Sequence, residues 1–250
     1  MEISLVPETI FHLGSFPFTN SLIMTLVVSA IIIGISFFVQ KNTKLIPRGF
    51  QNLFEAIIEY FFELVHSVTQ NKKETRQFFP LVMTIFIFII ISNWMGLLPG
   101  AGTVGLHEVK EGKSIITPFI RSGSADLNTT LALSLIAVFA ANFMGISAIG
   151  LIRYGKKFLV NPFKKPYFIG TFVGVLELIS EVAKIISFSF RLFGNVFAGE
   201  VLLIVMLNLV PYFVPLPFLF LEVFVGFVQA LVFAMLTLVF LKMAVTAHDH

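Results

Sequence analysis

Two apolar stretches near the C-terminal end of the chain carry ionisable side chains. The stretch at 187–200, SFSFRLFGNVFAGE, contains Arg191 and Glu200, and the last apolar stretch contains Glu222. Arginine keeps its charge in any protein environment, and a charge at the centre of a bilayer costs at least about 2.5 kcal/mol. Charges inside membrane segments are rare and mark ion or proton paths. The sequence therefore predicts such a path.

The spacing of the polar residues suggests two helices that face each other. Steps of three and four residues place one set along a single helical stripe: Glu177, Glu181, Lys184, Phe188, Arg191 and Asn195. On the last apolar stretch, Glu222 and Gln229 are seven residues apart and share a face. In an antiparallel hairpin, one register brings Arg191 near Gln229 and Glu200 near Glu222.

Several of these residues have a structural interpretation as well. Glu177, Glu181 and Lys184 either line an ion path or form a salt-bridge cluster that neutralises itself. Asn195 and Gln229 either position the arginine or hold the two helices together, since amides form hydrogen bonds across membrane helices.

Glu200, Glu222 and Arg191 are harder to explain by structural roles alone. Glu200 and Glu222 cannot both ionise cheaply at close range, so their proximity favours a shared proton. Arg191 has no acid on its own turn, and Glu200 lies nine residues away, about 13 Å along a helix. We therefore expect another subunit to supply its counter-charge. The small residues Gly194 and Ala198 beside it favour a closely packed neighbouring helix or packing within the hairpin.

The composition is that of a membrane protein with several spans. The 250 residues are 57% hydrophobic and 12% charged, with a mean hydropathy of +0.94, whereas soluble domains are about 25% charged. There is no cysteine, and the net charge of +3 with no basic stripe predicts no nucleic-acid partner. The first 20 residues contain Glu2 and Glu8 and no Lys or Arg, which argues against a cleaved signal peptide.

Apolar runs of about 20 residues, which cross about 30 Å of hydrocarbon, define the elements of a single polytopic domain over 1–250. The fold class is all-α integral membrane, with about five crossing helices and one amphipathic surface helix. The predicted elements are spans at 21–40, 78–98 and 127–152, a surface helix at 49–69, and long helices at 167–210 and 218–245.

The last two helices are too long for upright spans. At 1.5 Å per residue, 167–210 would extend about 65 Å, so it is either two crossings or one inclined helix. The proline-rich turn at 211–217 then favours a tilted hairpin.

The surface helix is predicted from its charge pattern. Glu55, Glu59 and Glu63 recur every four residues beside apolar faces, which is typical of a helix lying on the bilayer. The alternative is an ordinary packed helix between spans.

The basic residues predict the orientation. They flank the surface helix and follow the third span, whereas the loop at 99–126 holds only Lys110, Lys113 and Arg121. By the positive-inside rule that loop and the N-terminus lie outside. A single crossing at 167–210 then places the C-terminus in the cytoplasm.

Four stretches together resemble the family of F-type ATP synthase subunit a, the membrane stator facing the rotor ring. RLFGNVFAGE, followed by a proline turn and VQALVFAMLTLVFLKMA, is the most specific. SNWMGLLPG at 92–100, SADLNTTLAL at 124–133 and NPF at 161–163 also lie where the family has them. The resemblance covers most of the chain.

This resemblance implies a role for Arg191 and for the outer acids. Arg191 would attract the deprotonated carboxylate of each passing ring helix and block direct leakage between two offset half-channels. Glu200 and Glu222 would line the outer half-channel, bordered by Asp126 and Asn128, although a helix N-cap explains Asp126 equally well. Some family members have His where this chain has Glu222.

For the remaining residues the resemblance implies supporting roles. Glu177 would serve the cytoplasmic half-channel with Ser180 and Lys184, and Asn195 and Gln229 would position the arginine. The implied partners are the rotor c-ring, the peripheral-stalk b subunits, the rest of the ATP synthase and the lipid bilayer.

The subunit would not be an enzyme by itself and would need neither cofactor nor metal. It would lie in an energy-coupling membrane, the bacterial plasma membrane. The rival interpretation is a stand-alone ion-coupled secondary transporter, which usually shows two related halves. This chain has no internal repeat and no glycine-rich nucleotide motif.

Overall fold

The computed structural model describes residues 7–44, 49–98, 105–110, 113–118, 121–155, 169–210 and 213–246. The NPF stretch at 161–163 and the first two residues of the proline-rich turn lie outside these ranges. The helices are α1 (Asn20–Asn42), α2 (Phe50–Thr69), α3 (Lys72–Met95), α4 (Leu127–Ile149), α5 (Leu151–Gly155), α6 (Ile169–Leu209) and α7 (Pro215–Val245). Five of them are long and apolar enough to cross a membrane: α1, α3, α4, α6 and α7. The prediction of an all-α integral membrane protein is confirmed.

The contacts between helix ends show that the five long helices alternate in direction. At one end, Asn20 at the start of α1 donates a side-chain hydrogen bond to the Pro118 carbonyl, just before α4, at 3.2 Å. At the other end, Lys242 near the end of α7 pairs with Glu74 in the first turn of α3 at 2.6 Å. Helix α6 is one continuous helix, and its residues Phe172–Leu209 make up a single candidate span, whereas the orientation predicted from the charges stays a prediction.

Three helix boundaries differ from the hydropathy-based prediction, because polar residues, prolines and glycines at helix ends escape a search for apolar runs. Helix α3 begins at Lys72, where the Asn71 side chain accepts a hydrogen bond from the Lys73 amide at 3.0 Å. Helix α7 begins at Pro215, since proline is well tolerated in the first helical turn. The third span ends at Ile149, where Gly150 has a φ of +93° that favours glycine, and α5 follows.

Two short antiparallel hairpins were not predicted. Strands β1 (Thr9–Leu13) and β2 (Phe16–Thr19) precede α1, and β3 (Gly105–Lys110) and β4 (Lys113–Pro118) lie between α3 and α4. Both hairpins are at the end of the molecule where α1 begins, because the Asn20 amide bonds the Glu8 carbonyl and its side chain bonds Pro118.

The core lies where α3, α4, α6 and α7 pack together. Its largest fully buried apolar side chains include Phe78 and Ile89 of α3, Leu192 of α6, and Leu238 and Leu241 of α7. These side chains fix the rotation of α6 and α7 about their axes. That rotation decides which polar residues face outward.

Helix α2 combines both interpretations made from the sequence. Its second half packs on α3 through Phe61, whose ring centroid lies 4.4 Å from that of Phe86. Its first half leaves Leu53, Ile57 and Tyr60 exposed beside the exposed acids. An exposed helix half with apolar and acidic faces suits the bilayer surface.

Candidate functional site

Arg191 lies on the outward side of α6. It follows the buried Phe188 by three residues and precedes the buried Leu192, whereas Arg191 itself is exposed. Its Nη2 donates to Ser187 Oγ at 3.4 Å, and no carboxylate of the described segments pairs with it. Its charge is therefore not neutralised within the part of the chain that the structure describes.

The helix surface beside Arg191 carries small residues. A Cβ atom added to Gly194 would meet no atom within 4 Å, and Ala198 one turn further on is exposed as well. A face of small residues next to an exposed cation allows a second helix to approach closely.

Asn195, rather than the predicted Arg191, contacts Gln229 across the hairpin. Asn195 Nδ2 donates to Gln229 Oε1 at 2.8 Å. Gln229 is buried, and its Nε2 has no hydrogen-bond partner among the described residues. The predicted register of α6 against α7 is thus correct to within about one helical turn, and an unsatisfied donor lies one turn from the arginine.

Glu200 pairs with Arg121, a residue that the sequence analysis counted only as a loop charge. Arg121 Nε lies 3.3 Å from both carboxylate oxygens of Glu200. Because 79 residues separate the two in the chain, no local pattern links them. The only sequence signal is that Arg121 directly precedes the polar motif SGSADLN.

Glu222 lies against the helical turn that carries Glu200. A Cβ atom added to Gly199 would overlap the Glu222 carboxylate, so the absence of a side chain at 199 makes room for that group. Glu222 is buried, yet it makes no hydrogen bond or ion pair within the described ranges. Glu222 thus lies against the residue that precedes Glu200, in surroundings very different from those of Glu200.

Asp126 acts as the N-cap of α4. Its Oδ1 accepts from the Asn128 amide at 2.9 Å, and its Oδ2 accepts from Ser21 Oγ of α1, also at 2.9 Å. Both oxygens of this buried carboxylate are thus used in structural contacts, whereas the Asn128 side chain is exposed.

Buried polar groups continue from the Glu222 region into α3. Asn93 Nδ2 donates to the Gly226 carbonyl at 3.1 Å, one turn beyond Glu222 on α7. Asn93 Oδ1 and the hydroxyls of Ser92 and Ser124 are buried without a hydrogen-bond partner in the described structure. Such groups are usually satisfied by water.

The charges in the first half of α6 are paired more tightly. Lys184 Nζ contacts Glu181 Oε1 at 2.7 Å and lies 5.0 Å from the centre of the Phe240 ring. Glu181 also accepts from Asn142 of α4 at 3.3 Å. Glu177 and Ser180 lie half-buried at the same end of α6. The salt-bridge cluster therefore exists for Glu181 and Lys184.

These observations define a class of protein. Five crossing helices carry a row of ionisable and amide groups, with an exposed arginine between a cluster near Glu200 and another near Glu181. A row of this kind in membrane helices is typical of proteins that move ions or protons.

The chain belongs to the family described as ATP synthase A chain, whose family model matches residues 22–242. It is 35% identical to the ATP synthase subunit a of Gloeobacter violaceus, over 92% of this chain and 85% of that protein. It is 30% identical to that of Moorella thermoacetica, over 97% and 98%. It is 32% identical to that of Campylobacter jejuni strain RM1221, over 89% and 88%. The protein thus belongs to the membrane machinery of ATP synthesis and proton transport.

Proposed function

We propose that this chain, as a single membrane domain, is the stator subunit along which the rotor ring of an F-type ATP synthase turns. In this proposal Arg191 faces the carboxylates of successive c-ring helices. The observation that carries the proposal is an exposed arginine in a crossing helix with no carboxylate partner among the described residues.

An arginine in this position requires an external anion. Leaving a charge unpaired in hydrocarbon is costly, so a partner that supplies a carboxylate would gain binding energy at this site. The open face at Gly194 and Ala198 leaves space for the helix that carries the carboxylate.

Arginine suits this role better than lysine because it does not release its proton in proteins. A fixed cation attracts a deprotonated ring carboxylate without becoming a proton carrier itself. It also opposes the direct passage of protons between the two sides. Each charge that crosses 100 mV is worth about 2.3 kcal/mol, so such a leak would waste the driving force.

The polar clusters on either side of Arg191 would form two offset half-channels. Glu200 lies about 13 Å from Arg191 along α6, and Glu177 about 21 Å in the other direction. The outer half-channel would contain Glu200 and Glu222, bordered by Asp126 and Asn128. The inner half-channel would contain Glu177, Ser180 and Lys184. Asn195 and Gln229 would position Arg191.

The orientation and partners belong to the same proposal. The positive-inside rule favours an external N-terminus and a cytoplasmic C-terminus in a bacterial plasma membrane. ATP chemistry would belong to other subunits, and the b subunits of the peripheral stalk would hold this chain against rotation.

The experiment is substitution of Arg191 in the assembled ATP synthase. Arg191→Ala should abolish ATP-driven proton pumping into inverted membrane vesicles while the complex still assembles. The matched control is Arg76→Ala, an exposed arginine in the second turn of α3. This control should pump like the wild type. Normal pumping by Arg191→Ala would refute the proposal.

A further inference from the structure

The pair formed by Arg121 and Glu200 joins the segment before α4 to the second half of α6. The arginine is the more deeply buried partner, with 7% of its side chain exposed against 32% for Glu200. Its Nε lies 3.3 Å from both carboxylate oxygens, so the cation is shared between them.

Contacts on both sides hold the segment around Arg121 in place. Ser122 Oγ donates to the Ser92 carbonyl of α3 at 3.0 Å, and a Cβ atom added to Gly96 would overlap Ser122. At the other end of the segment, Asp126 bonds Ser21 of α1. Arg121 therefore projects from a fixed piece of backbone rather than from a free loop.

The electrostatic consequence differs for the two acids. Because arginine does not deprotonate, Glu200 always faces a full positive charge at hydrogen-bond distance. Glu8, from the segment before β1, also acts on Glu200 electrostatically, and as an acid it opposes the effect of Arg121 there. Glu222 contacts no ionised or hydrogen-bonding group among the described residues, and its carboxylate lies over the bare backbone at Gly199.

We infer that Arg121 is a positioning residue that holds Glu200 as a fixed anion, and that Glu222 is the outer carboxylate that binds and releases the transported proton. This inference rests on the proposed function. The sequence analysis expected Glu200 and Glu222 to share one proton, whereas in this inference the two acids have separate roles. Glu200 makes the inlet attractive to protons, and Glu222 passes them on.

The test is a double-mutant cycle in the assembled ATP synthase. Arg121→Gln, Glu200→Gln and the combined variant are compared for ATP-driven proton pumping in inverted vesicles, normalised to the amount of assembled complex. Each single variant removes one of the two opposite charges and upsets the charge balance at this position, so we expect each to pump at least about tenfold more slowly, as for a loss of about 1.4 kcal/mol. The double variant, with neither charge, should pump several-fold faster than either single one.

The pH profile distinguishes this role from a merely structural one. In Arg121→Gln, Glu200 becomes a second group that takes up protons, so pumping should acquire a new dependence on pH inside the inverted vesicles. The double variant and Arg121→Lys, which keeps the cation, should lack that new dependence. Glu222→Gln should block pumping both alone and in the double background.

Two results would overturn the inference. One is a double variant as inactive as Glu200→Gln, which would make Glu200 an obligatory proton carrier. The other is normal pumping by Glu222→Gln. The proposed function fails separately, through normal pumping by Arg191→Ala.

Discussion

The regions around Arg121 and Arg191 place the same type of side chain in opposite surroundings. Arg121 is buried in the segment before α4 and lies 3.3 Å from both oxygens of Glu200. Arg191 is exposed on α6, and its only polar contact in the described part of the chain is Ser187 at 3.4 Å. The first charge is neutralised by its own chain, and the second is not.

The difference suggests why only one of the two regions can work on a moving partner. A cation with a permanent carboxylate has little attraction left for another anion. A cation without one can bind and release a series of passing carboxylates. Substitutions can change this difference between the two arginines, and their expected effects on proton pumping range from more than about a hundredfold to none.

Giving Arg191 a partner of its own should have the largest effect. Ser187→Glu places a carboxylate one helical turn away, near the atom that Arg191 already contacts. An ion pair at 4 Å and an effective dielectric constant of 20 is worth about 4 kcal/mol. Proton pumping should fall more than about a hundredfold.

The control for this variant is Ser187→Gln, which has the same size and no charge. It should retain most of the pumping activity. Equal activity of the Glu and Gln variants would contradict the need for an unpaired arginine.

Filling the space at Gly199 should have the next largest effect. Gly199→Ala would displace the Glu222 carboxylate, which can move because it is the end of a flexible side chain. We expect normal assembly and a roughly tenfold loss of ATP-driven pumping, since a displacement of about 1 Å can cost up to about a hundredfold. Gly34→Ala in α1, where a Cβ atom meets nothing within 4 Å, is the control. Similar pumping by both variants would show that the position of Glu222 is unimportant.

Removing the amide pair should have a moderate effect. Hydrogen bonds across membrane helices are worth about 0.6 kcal/mol on average, so Asn195→Ala should slow pumping roughly threefold if the pair positions Arg191. If it merely holds α6 to α7, thermal stability of the complex will fall while the rate per assembled complex stays constant. Measuring both the pumping rate and the thermal stability therefore decides whether the pair positions Arg191 or only holds α6 to α7.

Breaking a charge pair away from the site should have the smallest effect. Lys242 and Glu74 join the end of α7 to the start of α3 at 2.6 Å, with both side chains partly exposed. Lys242→Met should lower stability by no more than about 1 kcal/mol and leave pumping unchanged. A strong loss of pumping would show that every pair in the bundle matters, and the contrast between the two arginines would lose its meaning.

Sequence patterns predicted the features that depend on helical periodicity and charge balance. Steps of three and four residues predicted that Arg191 would lie near Gln229, and the structure places Asn195, one turn further along α6, against that amide. The length and hydropathy of 167–210 predicted one long helix, which the structure contains as α6. Hydropathy missed the start of α3 because its first six residues, at 72–77, are charged or polar. It also missed both hairpins, whose short strands resemble loop sequence.

The pair of Arg121 and Glu200 could not be predicted in the same way. It depends on where a connecting segment folds back onto a helix 79 residues later. Long-range contacts of this kind leave no periodic trace in a single sequence. The prediction of a shared proton considered only the two acids, since nothing in their spacing indicated a nearby cation.

The most direct measurement is the structure of the complete ATP synthase, with the distance from the Arg191 guanidinium to the nearest rotor carboxylate. The account predicts an approach to within about 6 Å in at least one rotary position, with no carboxylate of its own chain closer. An Arg191 side chain folded back onto an acid of its own chain, with the ring carboxylates beyond reach in every rotary position, would contradict it.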